Sequence, residues 1–335
     1  MKKKKNDIIG IISSILIGIF VIIFLEKLYN TSIINEIKKL KLADIAIVFL
    51  IYFIGYIIDT IRYKIILKQF ETKISFFQLL YNNVMGLFFS SITPFAAGGQ
   101  PYQIYHLNKH GLDIEHSTNI VVSRFITAMI LNLVIALTSY RKVINSLYGT
   151  TIESALINIG LIVSFVITIL IMLVFINSNI IVNMIDNFKS KKIKKLKDKY
   201  LKWSNNLKVS IKFLWSEKLH IMILDIILNI IILSLQSYAL YYLFLKYANL
   251  NNNFNNFIIV FGSMMLLNMV VYYIPTPGAS GTIEATYQLV FSSILKIHKG
   301  VFLSIIGWRF ATYYLQILFG ILLRIFVKTF IKEEN

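Results

Sequence analysis

Ser90-Ser91-Ile92-Thr93-Pro94-Phe95-Ala96-Ala97-Gly98-Gly99-Gln100-Pro101 interrupts an apolar run where a membrane-crossing helix would otherwise continue. Two prolines and two glycines fall within eight residues. Proline removes an amide donor and clashes with the turn before it, so a helix does not pass through such a stretch undisturbed. At membrane depth, broken backbone is tolerated only where it is buried in protein or lines a wet cavity. The signature returns as Thr276-Pro277-Gly278-Ala279-Ser280-Gly281, and both copies read Thr-Pro-x-Ala-x-Gly.

Working outward from the two breaks, the chain is a series of apolar runs. Of its 335 residues, 57% are apolar and 15% charged. Runs of about twenty apolar residues cross a bilayer core of roughly 30 Å. The fold class expected is an all-α polytopic integral membrane protein, one membrane domain over 1–335. Full spans are expected at about 8–25, 43–61, 118–139, 153–177, 219–245 and 301–327. The first follows Lys2 to Lys5 with no Ala-x-Ala site after it, which favours an uncleaved helix over a signal peptide. The segments 76–92 and 255–274 run into the breaks. Either each break is the tip of a re-entrant hairpin or each arm crosses fully, giving about eight spans; runs of 17 and 20 residues allow both.

The formal charge of +18 comes from 34 Lys and Arg against 16 Asp and Glu. The lysines lie between the apolar runs, which points to membrane orientation and an anionic membrane surface rather than nucleic acid. With the amino terminus cytoplasmic and re-entrant hairpins, inside segments hold 23 Lys and Arg and outside segments 9. Both termini are then cytoplasmic, and 178–218, with Lys191-Lys192-Ile193-Lys194-Lys195, reads as a basic cytoplasmic linker. The absence of cysteine excludes disulfides and thiolate chemistry.

The breaks belong to a longer repeat. Arg124 follows Pro94 by thirty residues, Arg309 follows Pro277 by thirty-two, and each arginine precedes a phenylalanine. Two halves, 8–139 and 153–327, therefore share the order of turn, short helix and arginine-bearing span. On the hairpin reading they are inverted, the arrangement in which transporters bind substrate at the repeat interface.

Ionisable groups at membrane depth are costly and are candidates for function. Arg124, Arg309 and Glu284 lead, with Asp59, Arg62 and Asp225 as possible supporting groups. Arginine recognises phosphate through a planar fork; the plainer reading is that each arginine balances a buried carboxylate. Glu284 stands three residues past Gly281, where the helix dipole favours a carboxylate; alternatively it faces a cavity and pairs with Arg309 or a cationic headgroup. The turns themselves (Thr93, Pro94, Gly98, Gly99, Gln100, Thr276, Pro277, Gly281) place amides beside helix starts, an arrangement suited to anions, or are packing breaks only. His106 and His110 have no third ligand nearby in the sequence, and neither a metal nor a cofactor is expected. No phosphate loop, nucleophile elbow or HExxH appears.

The Thr93-Pro94…Gly98-Gly99…Pro101 turn, the Pro275-Thr276-Pro277-Gly278…Gly281…Glu284 turn and the later Arg309 resemble a flippase-like membrane family. It is named after the transmembrane region of bacterial lysyl-phosphatidylglycerol synthase, and the resemblance runs over about 8–327. It implies a lipid translocase of the bacterial cell membrane. Such a protein moves an anionic or aminoacylated phospholipid such as lysyl-phosphatidylglycerol, which lowers surface negative charge and gives resistance to cationic antimicrobial peptides. Members that make this lipid carry a soluble C-terminal transferase. This chain stops at Asn335, so catalysis by it alone is not expected and a separate lipid-modifying transferase would supply synthesis. The alternative is a membrane component of lysyl-phosphatidylglycerol synthesis, or of a polyprenyl or glycolipid pathway, that needs a partner enzyme.

Overall fold

The computed structural model describes residues 38–147, 151–176, 191–271, 274, 276–296 and 299–331. The expected first span, 8–25, lies outside them. The helices are α1 (Leu42–Leu67), α2 (Phe76–Ile92), α3 (Gly99–Lys109), α4 (Ile114–Ser146), α5 (Thr151–Ile176), α6 (Lys191–Lys212), α7 (Leu219–Tyr247), α8 (Phe254–Val271), α9 (Thr282–Leu295), α10 (Lys299–Arg309) and α11 (Leu315–Phe326). There is no strand among the described residues. Five segments are long and apolar enough to cross a bilayer: Leu42–Phe70, Ile114–Ser146, Ile152–Leu173, Leu219–Tyr247 and Gly300–Thr329. The last joins α10 to α11 through a π-turn at Phe310–Tyr314. The protein is an all-α polytopic membrane protein. Its outward apolar side chains, among them Ile162, Leu170, Ile227 and Leu322, are exposed and suit a hydrocarbon solvent.

The first break reverses the chain. Ser75 opens α2 with a capping box: its hydroxyl accepts from Gln78 N at 3.2 Å, and Gln78 Oε1 accepts from Ser75 N at 2.8 Å. The helix ends at Thr93, which Pro94 holds extended (φ −116°, ψ 144°). Phe95 and Ala96 then take left-handed φ of 56° and 53°, a conformation that costs a side-chain-bearing residue of order 1 kcal/mol. The exit helix α3 has 11 residues and extends only about 16 Å, too short to cross. It returns along α2: Asn82 Nδ2 donates to Gln103 O at 3.0 Å. At the tight end, a Cβ on Gly99 would collide with Ser90 and with Gly86 O.

The second break reverses likewise. Gly278 and Ala279 take φ of 58° and 49°, and Gly281 takes 88°. Tyr287 OH on α9 donates to Asn268 Oδ1 on α8 at 3.0 Å. The turns Pro94–Ala96 and Pro277–Ala279 pack on one another, whereas the hairpin arms share no extensive contact among the described residues. Contact between the two hairpins is therefore concentrated at their tips, with α2 also reaching the second turn. Tyr313 joins the tips, its hydroxyl lying 3.1 Å from Ser91 O and 3.4 Å from Pro277 O.

Two expected boundaries shift. α1 runs past residue 61 to Leu67 because Arg62 is buried and paired and so does not end the span. The basic segment is helical over Lys191–Lys212, and Ser204, Leu207 and Ser210 are buried. A stripe of Leu207, Ile211 and Leu214 at helical spacing explains the docking. Ser210 Oγ accepts from Asn119 Nδ2 at 2.9 Å and is 2.8 Å from His116 Nδ1, both on α4.

Candidate functional site

Three spans bring the ionisable residues of the first half together. Asp59, Arg62 and Tyr63 share one region of α1, Arg124 comes from α4, and Asp225 and Asn229 stand one turn apart on α7. Asp225 takes the Arg62 guanidinium side-on, with Nε to Oδ1 at 3.0 Å and Nη2 to Oδ2 at 2.9 Å. Arg62 Nη1 donates to Asp59 Oδ1 at 2.7 Å and to Asn229 Oδ1 at 3.1 Å. Arg124 reaches the same two acids, Nη2 to Asp59 Oδ1 at 2.5 Å and Nε to Asp225 Oδ1 at 3.3 Å. Its guanidinium lies 3.6 Å from the centre of the Tyr63 ring, within cation–π range.

Two arginines and two aspartates make this network charge-balanced. Side-chain exposure is 4% for Arg62, 7% for Arg124, 1% for Asp225 and 22% for Asp59. The charges therefore face one another, and Asp59 is the member open to its surroundings. That opening is a cavity of about 360 Å³ whose lining includes Asp59, Arg62 and Arg124. Gln100 and Gln103 reach it from α3, Asn132 from α4, and Gln316 from α11. The first hairpin thus supplies one wall of a polar cavity inside an apolar bundle.

The second half builds a smaller network. Arg309 Nε donates to Glu284 Oε1 at 2.9 Å, and Arg309 Nη2 donates to Gly278 O at 3.1 Å in the turn. Glu284 Oε2 accepts from Gly281 N at 2.8 Å, capping α9. Glu284 thus closes the helix start and pairs with Arg309, and it does not line the cavity of the first half. The Arg309 guanidinium lies 4.3 Å from the centre of the Tyr313 ring, as Arg124 does over Tyr63.

The predicted residues thus fall into three groups. Asp59, Arg62, Arg124 and Gln100 line the cavity, with Asp225 paired to both arginines. Glu284, Arg309 and Gly281 form the second network with Pro277 and Thr276, and Arg309 is not part of the cavity lining. Thr93, Pro94, Gly98 and Gly99 build the first tip. The turn amides expected to stand open to an anion close the turns themselves. Ala96 N donates to Thr93 O, Ala97 N to Pro94 O, and Gly98 N to Thr93 Oγ1 at 2.9 Å. In the second tip Ala279 N donates to Thr276 O and Ser280 N to Pro277 O.

Of the cavity carboxamides, the sequence singles out Gln100 and passes over Asn132 and Asn229. Asn132 lies two turns after Arg124 and Asn229 one turn after Asp225, so polar residues recurring every four positions in an apolar run were the available signal.

The family model for the lysylphosphatidylglycerol synthase TM region matches residues 10–320, and the chain belongs to that family. The chain is similar to a UPF0104 membrane protein of Archaeoglobus fulgidus, 26% identical over 345 residues that cover 93% of this chain and 94% of the relative. No solved structure matches it significantly.

Proposed function

We propose that this member of the lysylphosphatidylglycerol synthase TM region family binds the headgroup of an anionic or aminoacylated phospholipid, lysyl-phosphatidylglycerol being one candidate, and passes it between leaflets. The observation that carries the reading is the cavity where Arg62, Arg124 and Asp59 meet Gln100 and Gln103 of a re-entrant hairpin. A charged headgroup entering there exchanges water for arginine and carboxylate partners, while its acyl chains stay in the hydrocarbon outside the bundle. Opposed hairpins that meet at their tips are suited to rocking, which would open the cavity to each side in turn. Arg309 and Glu284 would serve the headgroup at the second tip. The setting is the cell membrane with both termini cytoplasmic, and a separate transferase would supply any aminoacylated substrate.

Proteoliposomes containing the purified protein and labelled phospholipid test the reading. Wild type should accelerate exchange between leaflets, and Arg124→Ala should abolish the acceleration while the protein still inserts. Equal rates with wild type, Arg124→Ala and empty liposomes would sink the proposal.

A further inference from the structure

The three helices that carry the first ion network, α1, α4 and α7, meet again where the basic helix α6 docks. Between α6 and α7 the chain makes a π-turn at Phe213–Glu217, a helix irregularity common at functional sites. Four polar contacts fasten α6 and this turn to α4. Ser210 Oγ accepts from Asn119 Nδ2 at 2.9 Å and lies 2.8 Å from His116 Nδ1. Trp215 Nε1 donates to Ser123 Oγ at 3.0 Å, and Ser123 Oγ donates in turn to Asn119 Oδ1 at 2.9 Å. At the rim, Asn206 Nδ2 donates to Glu115 Oε1 at 3.3 Å. The ring of Phe70, just past α1, packs on His116 and Phe213, with centroids 4.6 and 5.4 Å away.

This joint backs one end of the cavity. Tyr63 and Val121 line the cavity and also belong to the buried cluster that contains Leu214 and Met222. Ser123, which Trp215 holds, immediately precedes Arg124, and the Arg124 guanidinium stands over the Tyr63 ring. Withdrawing α6 with its π-turn would take Leu214 and Trp215 out of that wall, beside the Arg124–Asp59 pair.

The sequence of α6 identifies what competes for it. Lys191–Lys212 holds nine lysines and one acid, Asp198. Its apolar residues Ile193, Leu196, Tyr200, Trp203, Leu207 and Ile211 recur every three or four positions. A basic helix with such a stripe lies on an anionic bilayer, its apolar side in the headgroup layer and its lysines beside the lipid charges. In the docked helix Leu207 is buried, as is Leu214 in the turn beyond it, while Lys202, Val209 and Lys212 are exposed. Bundle and membrane therefore need the same stripe, and α6 cannot serve both. A lysine near an anionic surface is worth about as much as one net hydrogen bond. Nine lysines set against four polar contacts let a strongly charged surface win.

We propose that α6 is a latch that keeps this end of the cavity shut when docked, and that an anionic lipid surface is the partner that draws it off. The latch goes beyond headgroup transport and stands or falls separately from it.

The test is cross-linking in nanodiscs. Glu115→Cys with Asn206→Cys marks the docked state, in a chain with no cysteine of its own, and a short uncharged bis-maleimide reads it. In phosphatidylcholine discs the pair should cross-link readily. Adding phosphatidylserine or phosphatidylglycerol should slow cross-linking at least roughly five-fold, the scale of one lysine's contribution. The two lipids should act equally at equal surface charge, and high salt should restore the neutral rate. Lys191→Gln, Lys192→Gln, Lys194→Gln, Lys195→Gln and Lys197→Gln together should keep the rate high in every disc, and this variant meets the same surface and so controls for the reagent. Trp215→Phe, which loses the bond to Ser123, should bring the fall at a lower anionic content. A rate that ignores surface charge overturns the latch, as does a fall that the five-glutamine variant shares. A fall with only one of the two lipids overturns it too, because headgroup chemistry and not surface charge would then be acting. None of these outcomes touches the headgroup reading, since the cross-link forms without transport.

Discussion

Asp225 is the acid on which the buried network turns. It receives three donors, Arg62 Nε and Nη2 and Arg124 Nε, at 3.0, 2.9 and 3.3 Å, and its side chain is 1% exposed. Asp225→Asn keeps the shape, removes the charge, and presents an amide NH2 where an oxygen had accepted from a guanidinium. Two buried arginines would then share the single carboxylate of Asp59. Removing one partner of a buried ion pair strands the other, a loss of about 3–5 kcal/mol. The double variant Arg62→Leu with Asp225→Leu strands less, because Arg124 and Asp59 remain matched at 2.5 Å. Replacing a buried pair by apolar groups is often close to neutral. The expected pattern is therefore a single variant that unfolds well before wild type and a double variant that recovers most of the difference, a coupling energy of several kcal/mol in a double-mutant cycle. Unfolding in mixed micelles, with the single variants Arg62→Leu and Asp225→Leu completing the cycle, measures it. Additive losses, or an Asp225→Asn as stable as wild type, would refute the described geometry. Because the pair is buried, the coupling should also persist in high salt.

Two further outcomes follow from the hairpins. Gly99→Val places a side chain against Ser90 and Gly86 O, where even a Cβ has no room; overpacking of this kind costs about 1–3 kcal/mol. The same unfolding assay should show that loss, and Gly111→Ala serves only as a control for backbone strain, since no atom lies near a Cβ there. Tyr313→Phe removes the hydroxyl that reaches Ser91 O and Pro277 O. It should lower stability by about 1 kcal/mol and loosen the tips, read as weaker cross-linking between cysteines placed at 95 and 279 in a chain that has no cysteine of its own.

The breaks were legible because proline and glycine act locally. Pro94 holds Thr93 extended whatever surrounds it, and α2 ends at Ile92 as the run of apolar residues suggested. The Glu284–Arg309 pair was legible too, since the repeat set both beside the second tip. The first network was not. Arg62 meets Asp225 across 163 residues and Arg124 meets Asp59 across 65, so their pairing depends on which helices pack, and periodicity within one helix carries no such information. Asp59 and Arg62 stand three residues apart on one face of α1, a spacing that by itself names no partner on another helix. Once Asp225 and Asn229 pack against them, the same spacing becomes half of a buried cluster and the helix continues to Leu67. Asn132 and Asn229 were hidden for another reason: asparagine is common throughout this chain, and only a three-dimensional cavity separates them from the Asn249 to Asn253 loop.

Charge balance in both networks bears on how the proposed carrier would work. A site that alternates between two faces must also return empty, and unpaired arginines crossing a low-dielectric interior would make that return prohibitively slow. Here Arg62 and Arg124 are matched by Asp59 and Asp225, and Arg309 is matched by Glu284. The empty state therefore carries its own counter-ions, and rearrangement moves neutral clusters. A headgroup must then compete with carboxylates already in place, which favours weak, exchangeable binding over tight capture. Asp59, the most exposed of the four at 22%, is the group best placed to yield first. Its release would free one arm of Arg124 for a phosphate while the bidentate Arg62–Asp225 pair stays closed. In that sequence Arg124 and Asp59 are the exchanging pair and Arg62 and Asp225 the fixed scaffold, so substitutions at Asp59 should alter headgroup exchange more than fold stability, and those at Asp225 the reverse.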